Sequence, residues 1–108
     1  METWETVCHR EDLVENTGVC ALLGDEQVAV FLCGRSNALY AVSNYDPIGK
    51  ANVMSRGMIG SLGDKTVVAS PLYKQHFCLE TGICLENETV SLKTYKIKVS
   101  NDSIKVAY

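Results

Sequence analysis

Short runs rich in Val, Ile, Leu and Tyr, separated by Gly, Asn, Asp and Ser, recur along almost the whole chain. Runs of that length, punctuated by turn residues, are the strands of an antiparallel β-sandwich or barrel. Gly18–Leu23 and residues 27–33 flank Gly24-Asp25-Glu26, which suits a hairpin. Gly34-Arg35-Ser36-Asn37 then turns the chain into a strand at 38–43. Further strands are predicted at Lys65–Ala69, at 75–79 and around 83–85. A last hairpin pairs 91–99 with Ser103–Ala107 across Ser100-Asn101-Asp102. In it Tyr95, Ile97 and Val99 alternate with Lys96 and Lys98, so the first three share the buried face. Only residues 10–16 read as a helix, a short link between the first two strands.

With 108 residues, 46% hydrophobic and 21% charged, the chain is expected to form a single domain, 1–108. A net charge of −3 argues against a nucleic-acid partner, because phosphate backbones are gripped by clustered Lys and Arg. The longest wholly apolar run is Val28 to Cys33, where a membrane-spanning helix needs about 20 residues. Met1-Glu2-Thr3-Trp4-Glu5 has neither the basic start nor the apolar stretch of a secretory signal, so a cytoplasmic location is expected. Cys8, Cys20, Cys33, Cys78 and Cys84 are odd in number and contain no C-x-x-C pair. In a reducing compartment they read as small buried apolar residues.

Residues 44–64 break the strand rhythm, with Gly49, Gly57, Gly60 and Gly63, one proline and no clear period. They are expected to form one long structureless loop, and such loops inside a compact domain tend to be functional. Searches for chemistry find little. Gly49-Lys50-Ala51 lacks the first glycine and the hydroxyl of a phosphate loop. The acidic pairs Glu11/Asp12, Asp25/Glu26 and Glu86/Glu88 fall in turns or near strand ends, where water stabilises both charges. No catalytic residue is expected. His76 and Cys78, two apart on a predicted strand with Cys84 nearby, offer three donors and no fourth for a metal.

The segment Asn44-Tyr45-Asp46-Pro47-Ile48-Gly49, followed by Ser70-Pro71-Leu72-Tyr73 and later Thr81-Gly82, resembles the two cluster-binding loops of Rieske domains. In that family the loops run N-x-C-P-H and C-P-x-H, the latter followed by a T-G turn. The resemblance implies a Rieske-like open barrel with one short helix, in which 44–86 is a degenerate cluster-loop region. The prolines and spacing are kept, but Asp46, Ile48, Ser70 and Tyr73 stand where the two Cys and two His ligands would be. Isoleucine has no donor atom, and oxygen donors suit an iron-sulfur core poorly. No metal or cofactor is therefore expected on this chain, and Ile48 and Tyr73 are expected to bury against each other in the vacated space.

A ligand-free domain of this kind is similar to the small-subunit family of bacterial NADH-dependent nitrite reductases. Residues 15–29, Ser43-Asn44-Tyr45-Asp46-Pro47, Ser55-Arg56-Gly57, Ala69-Ser70-Pro71-Leu72 and the 92–99 strand carry that resemblance. It implies a non-catalytic role beside a large subunit that holds FAD, an iron-sulfur cluster and sirohaem and reduces nitrite to ammonium. The expected docking surface is the loop tip: Pro47, Ile48, Met54, Arg56, Met58, Pro71, Leu72 and Tyr73; the alternative is that these side chains merely pack the loops on the body. Two alternatives stay open: a free-standing adaptor, or a ferredoxin-like carrier with a relocated site at His76, Cys78 and Cys84.

Overall fold

A computed structural model describes residues 3–107. Its strands are β1 (Trp4–His9), β2 (Gly18–Leu23), β3 (Glu26–Leu32), β4 (Leu39–Ser43), β5 (Tyr45–Asp46), β6 (Ala51–Asn52), β7 (Met58–Leu62), β8 (Lys65–Ala69), β9 (His76–Cys78), β10 (Thr94–Ser100) and β11 (Ser103–Ala107). Six form one antiparallel sheet in the order β1-β11-β10-β4-β3-β2, and its edges β1 and β2 approach each other, so the sheet is nearly closed. A three-stranded sheet, β7-β8-β9, and the small β5-β6 hairpin make up the second part. The all-β expectation holds.

Strand β3 ties the two parts together. Its alternate residues Val28, Val30 and Leu32 enter a core inside the large sheet, shared with Leu13, Leu23, Ala41, Tyr95, Ile104 and Val106. Ala29 and Phe31 face the other way, into a second core with Val42, Met54, Val68, Phe77, Leu79, Cys84 and Leu92. An uninterrupted apolar run is what a strand covered on both faces requires. Burying each large side chain such as Phe31, Phe77 or Met54 contributes roughly 1.5–3 kcal/mol. In the small sheet Ile59, Val68 and Phe77 lie opposite one another across β7, β8 and β9 and all turn toward this second core.

Five expectations need correction. Residues 44–64 are not structureless, since they hold β5, β6, a single 3-10 turn at Met54–Arg56 and β7. Their strands are too short, and too interrupted by glycine, to display a period. The expected helix at 10–16 shrinks to a 3-10 turn, Arg10–Asp12. Asp12 accepts the His9 N–H at 2.9 Å, and Leu13 leaves the turn extended to reach the first core. The run 83–85 makes only isolated bridges, Phe77 to Cys84 and Ile83 to Ser91. On β10, Tyr95 is buried and Ile97 packs on the core, but Val99 is 43% exposed. The cause is pairing: β10 meets β4 only at Thr94 and Tyr95, and beyond them it is held by β11 alone. Cys20 is likewise exposed, while Cys33, Cys78 and Cys84 are buried.

The turn after β9 depends on Gly82. Its φ is +84°, and a Cβ there would run into the Leu92 carbonyl, whose own residue is bound through the Leu92 N–H to the Gly82 carbonyl at 2.7 Å. Both backbone strain and overpacking therefore oppose a side chain. Gly82→Ala is expected to destabilise the fold by about 2–4 kcal/mol, read from the urea unfolding midpoint.

Candidate functional site

Two loops of the second part have the same construction. Asp46-Pro47-Ile48-Gly49-Lys50 and Ser70-Pro71-Leu72-Tyr73-Lys74 both read acceptor-Pro-x-x-Lys. Proline presets φ for the turn. Each turn closes when the lysine N–H donates to the first residue's carbonyl, at 2.7 Å for Lys50 and 3.0 Å for Lys74. Both lysines then sit at positive φ, +58° and +62°. The first side chain of each turn caps its own loop. Asp46 Oδ1 accepts the N–H groups of Ile48 (2.8 Å) and Gly49 (3.0 Å), and Ser70 Oγ accepts the Leu72 N–H (3.3 Å).

The loops are joined at their first residues. The Ser70 hydroxyl donates to Asp46 Oδ2, and both residues are fully buried. The carboxylate thus accepts three hydrogen bonds, which offsets much of the cost of removing a charged group from water.

The same turn occurs twice more, at Cys33–Asn37 and Cys78–Gly82. Asn37 donates to the Cys33 carbonyl at 2.8 Å and Gly82 to the Cys78 carbonyl at 2.7 Å, again from positive φ. Here the capped side chains are thiols. Hydrogen bonds from the Ser36 hydroxyl and N–H, helped by the Arg35 N–H, hold the Cys33 thiol below its ordinary value. Burial pushes Cys78 up, but hydrogen bonds from Thr81 and the Glu80 N–H outweigh it.

Of the four positions singled out from sequence, Asp46 and Ser70 meet directly and Ile48 packs partly buried on the second core. Tyr73 does not bury against Ile48; it is 65% exposed. The space is taken instead by the Asp46–Ser70 pair and by Leu72, which lies over Gly49 so closely that a Cβ there would meet its Cδ1. Among the expected tip residues, Pro47 and Pro71 are half-buried, and Arg56, Met58, Leu72 and Tyr73 are exposed. Met54 is a correction: it is fully buried in the second core, so it is no part of an outer surface. Its N–H binds the Asn44 carbonyl at 3.0 Å, and the next N–H, from Ser55, binds Asn44 Oδ1 at 2.7 Å.

His76 is committed elsewhere. Its Nδ1 lies 2.6 Å from Glu86 Oε2 and its N–H donates to Oε1 at 2.7 Å. Burial pushes the Glu86 carboxyl up, yet these bonds and the nearby imidazole hold it below the usual range. Cys84 Sγ points to the same carboxylate at 3.7 Å. Among the described residues, no three His, Cys, Asp or Glu side chains converge on a metal-sized site.

Sequence reading missed the lysines that close the two loops. The repeated Pro-x-x-Lys spacing was the available signal, since the fourth residue after each acceptor is where the turn demands positive φ.

The chain matches the Rieske-like [2Fe-2S] domain over residues 3–107, and it belongs to that family. It is 43% identical over 106 residues to the nitrite reductase (NADH) small subunit of Escherichia coli strain K12, covering 98% of each chain. The NMR structure of the E. coli protein NirD superimposes with a TM-score of 0.91 at 42% identity, over 100% of this chain and 98% of that one. The chain is also 34% identical over 103 residues to the nitrite reductase NAD(P)H large subunit of Klebsiella oxytoca, covering 95% of this chain but 11% of that protein. A Rieske cluster takes two thiolates and two imidazoles. The positions here carry a carboxylate already engaged three times, an alkyl chain, a hydroxyl donating to that carboxylate and an exposed phenol, and this donor set does not fit the cluster.

Ser70→Ala removes the bridge and leaves Asp46 Oδ2 buried without its donor. A loss of about 1–3 kcal/mol in unfolding free energy is expected, with amide exchange rising first in residues 46–50 and 70–74.

Proposed function

We propose that this chain is the non-catalytic small subunit of a cytoplasmic NADH-dependent nitrite reductase, serving nitrite assimilation or detoxification. The observation that carries the reading is the E. coli small subunit's 43% identity across 98% of both chains. The partner is a large subunit that holds FAD, an iron-sulfur cluster and sirohaem and reduces nitrite to ammonium with electrons from NADH. That a segment of the Klebsiella oxytoca large subunit is 34% identical to 95% of this chain supports close association of the two parts. In this reading the chain holds no cluster of its own, and the Asp46–Ser70 bridge ties the loops where a Rieske domain would use metal. It completes the large subunit by contact rather than by relaying electrons.

The docking surface is the loop tip, formed by Pro47, Ile48, Pro71, Leu72 and Tyr73, flanked by Arg56 and Met58. Leu72 is 45%, Tyr73 65% and Met58 74% exposed, an apolar group of the kind that marks partner surfaces. The adaptor reading lacks a comparable observation, and the relocated-metal reading is weakened by the commitment of His76 to Glu86.

Iron and acid-labile sulfide analysis of the purified chain is expected to find neither in stoichiometric amount. A red-brown protein with a paramagnetic signal on reduction contradicts this. Tyr73→Asp is expected to weaken co-purification with the large subunit by roughly tenfold or more while the isolated domain keeps its melting temperature. Met54→Asp, in contrast, places a charge in the second core and is expected to unfold the chain.

A further inference from the structure

We propose that the partner surface meeting this tip carries carboxylates that pair with Lys50, Lys74 and Arg56 around an apolar centre. The inference rests on the small-subunit reading above and names the chemistry of its docking face. Lys50 and Lys74 close the two matched turns, one on each side of the buried Asp46–Ser70 bridge. Arg56 precedes Gly57, whose Cα packs against the Ala69 carbonyl just before Ser70, which sets this third cation on the flank of the same region. All three are exposed, and among the described residues none is paired with a carboxylate. Asp46, four residues before Lys50, is buried and consumed by its own loop.

The charge of the whole chain is arranged accordingly. Residues 45–79 carry four Lys or Arg against two carboxylates, a net +2, while the rest carries six against eleven, a net −5. Exposed cations on the loops of an otherwise acidic chain orient approach to an acidic partner. The backbone adds a second, independent observation. The equivalent positions in the other two turns are Asn37 and Gly82, the residue types that accept positive φ most readily. Lys50 and Lys74 hold the same strained conformation with long cationic side chains, as expected where surface chemistry outranks local stability.

The test uses the full chain and the purified large subunit, with affinity and association rate followed from about 50 to 300 mM NaCl. Wild type is expected to weaken about tenfold over that range, and K50E/K74E to lose at least about tenfold at the lowest salt with a flatter salt dependence. K50G/K74G removes the charges and relaxes the backbone. It is expected to bind more weakly at an equal or higher melting temperature, so misfolding cannot account for the loss. K105E, away from the tip, serves as a control expected to match wild type. Salt-independent binding, or lysine variants that bind as wild type while Tyr73→Asp does not, overturns the charge pairing and leaves the tip in place. If Tyr73→Asp also binds as wild type, the tip falls with it, and if wild type fails to bind at any salt, so does the small-subunit reading.

Discussion

A buried carboxylate bonded to a buried hydroxyl joins the two loops that shape the exposed end of this molecule. Asp46 and Ser70 lie on separate loops, both out of contact with water, and they meet directly. An isolated carboxylate in such a place would cost several kcal/mol. Two backbone N–H groups and one hydroxyl supply what water would have given, and each hydrogen bond to a charged group contributes about 1.5–3 kcal/mol. Because the same carboxylate also caps its own turn through Ile48 and Gly49, the bridge fixes the shape of the first loop as well as its distance from the second. Pro47, Leu72 and the lysines inherit their positions from it.

The bridge explains how a fold whose family is described by an iron-sulfur cluster keeps paired loops with an unsuited donor set. Metal coordination would join two such loops through strong directional bonds; Asp46 and Ser70 join them through hydrogen bonds, from the Ser70 hydroxyl and from the Ile48 and Gly49 N–H groups to one carboxylate. The turns themselves do not depend on metal. The same backbone recurs at Cys33–Asn37 and Cys78–Gly82, where thiols fill the acceptor's role and draw their hydrogen bonds from Ser36, Arg35, Thr81 and Glu80. What the turn requires is an acceptor at its first position and tolerance of positive φ at its fifth. Asp, Ser and Cys all meet the first requirement.

The strands were legible where one face is wet or a hairpin turn marks the end: Gly18–Leu23, Lys65–Ala69 and Ser103–Ala107 stand in the structure with the bounds read from sequence. Residues 44–64 were not, because β5 and β6 have two residues each and Gly60 interrupts the pattern of β7. Met54 shows why the candidate surface was only partly readable. A methionine among glycines and polar residues looks like surface, and only the second core, assembled from strands far apart in sequence, gives it a place to bury. Tyr73 errs the other way: the space expected to receive it is closed by Leu72 and by the Asp46–Ser70 pair, a long-range contact that no local pattern announces.

The Klebsiella oxytoca relative sharpens what a separate chain has to achieve. There a segment like this one is part of the large-subunit polypeptide, and covalent linkage alone gives an effective concentration of order millimolar. A weak contact suffices under those conditions. A free chain has only its own surface, and it needs both affinity and a preferred direction of approach. In the proposed docking, exposed Leu72 and Tyr73 offer apolar area, while exposed Lys50, Lys74 and Arg56 offer direction. Apolar contact without charge would dock slowly and in several orientations, and charge without apolar contact would fail at physiological ionic strength, where the screening length is about 8 Å. In the proposed docking the two features depend on each other: Lys50 and Lys74, at positive φ, supply direction, and the exposed Leu72 and Tyr73 supply apolar area.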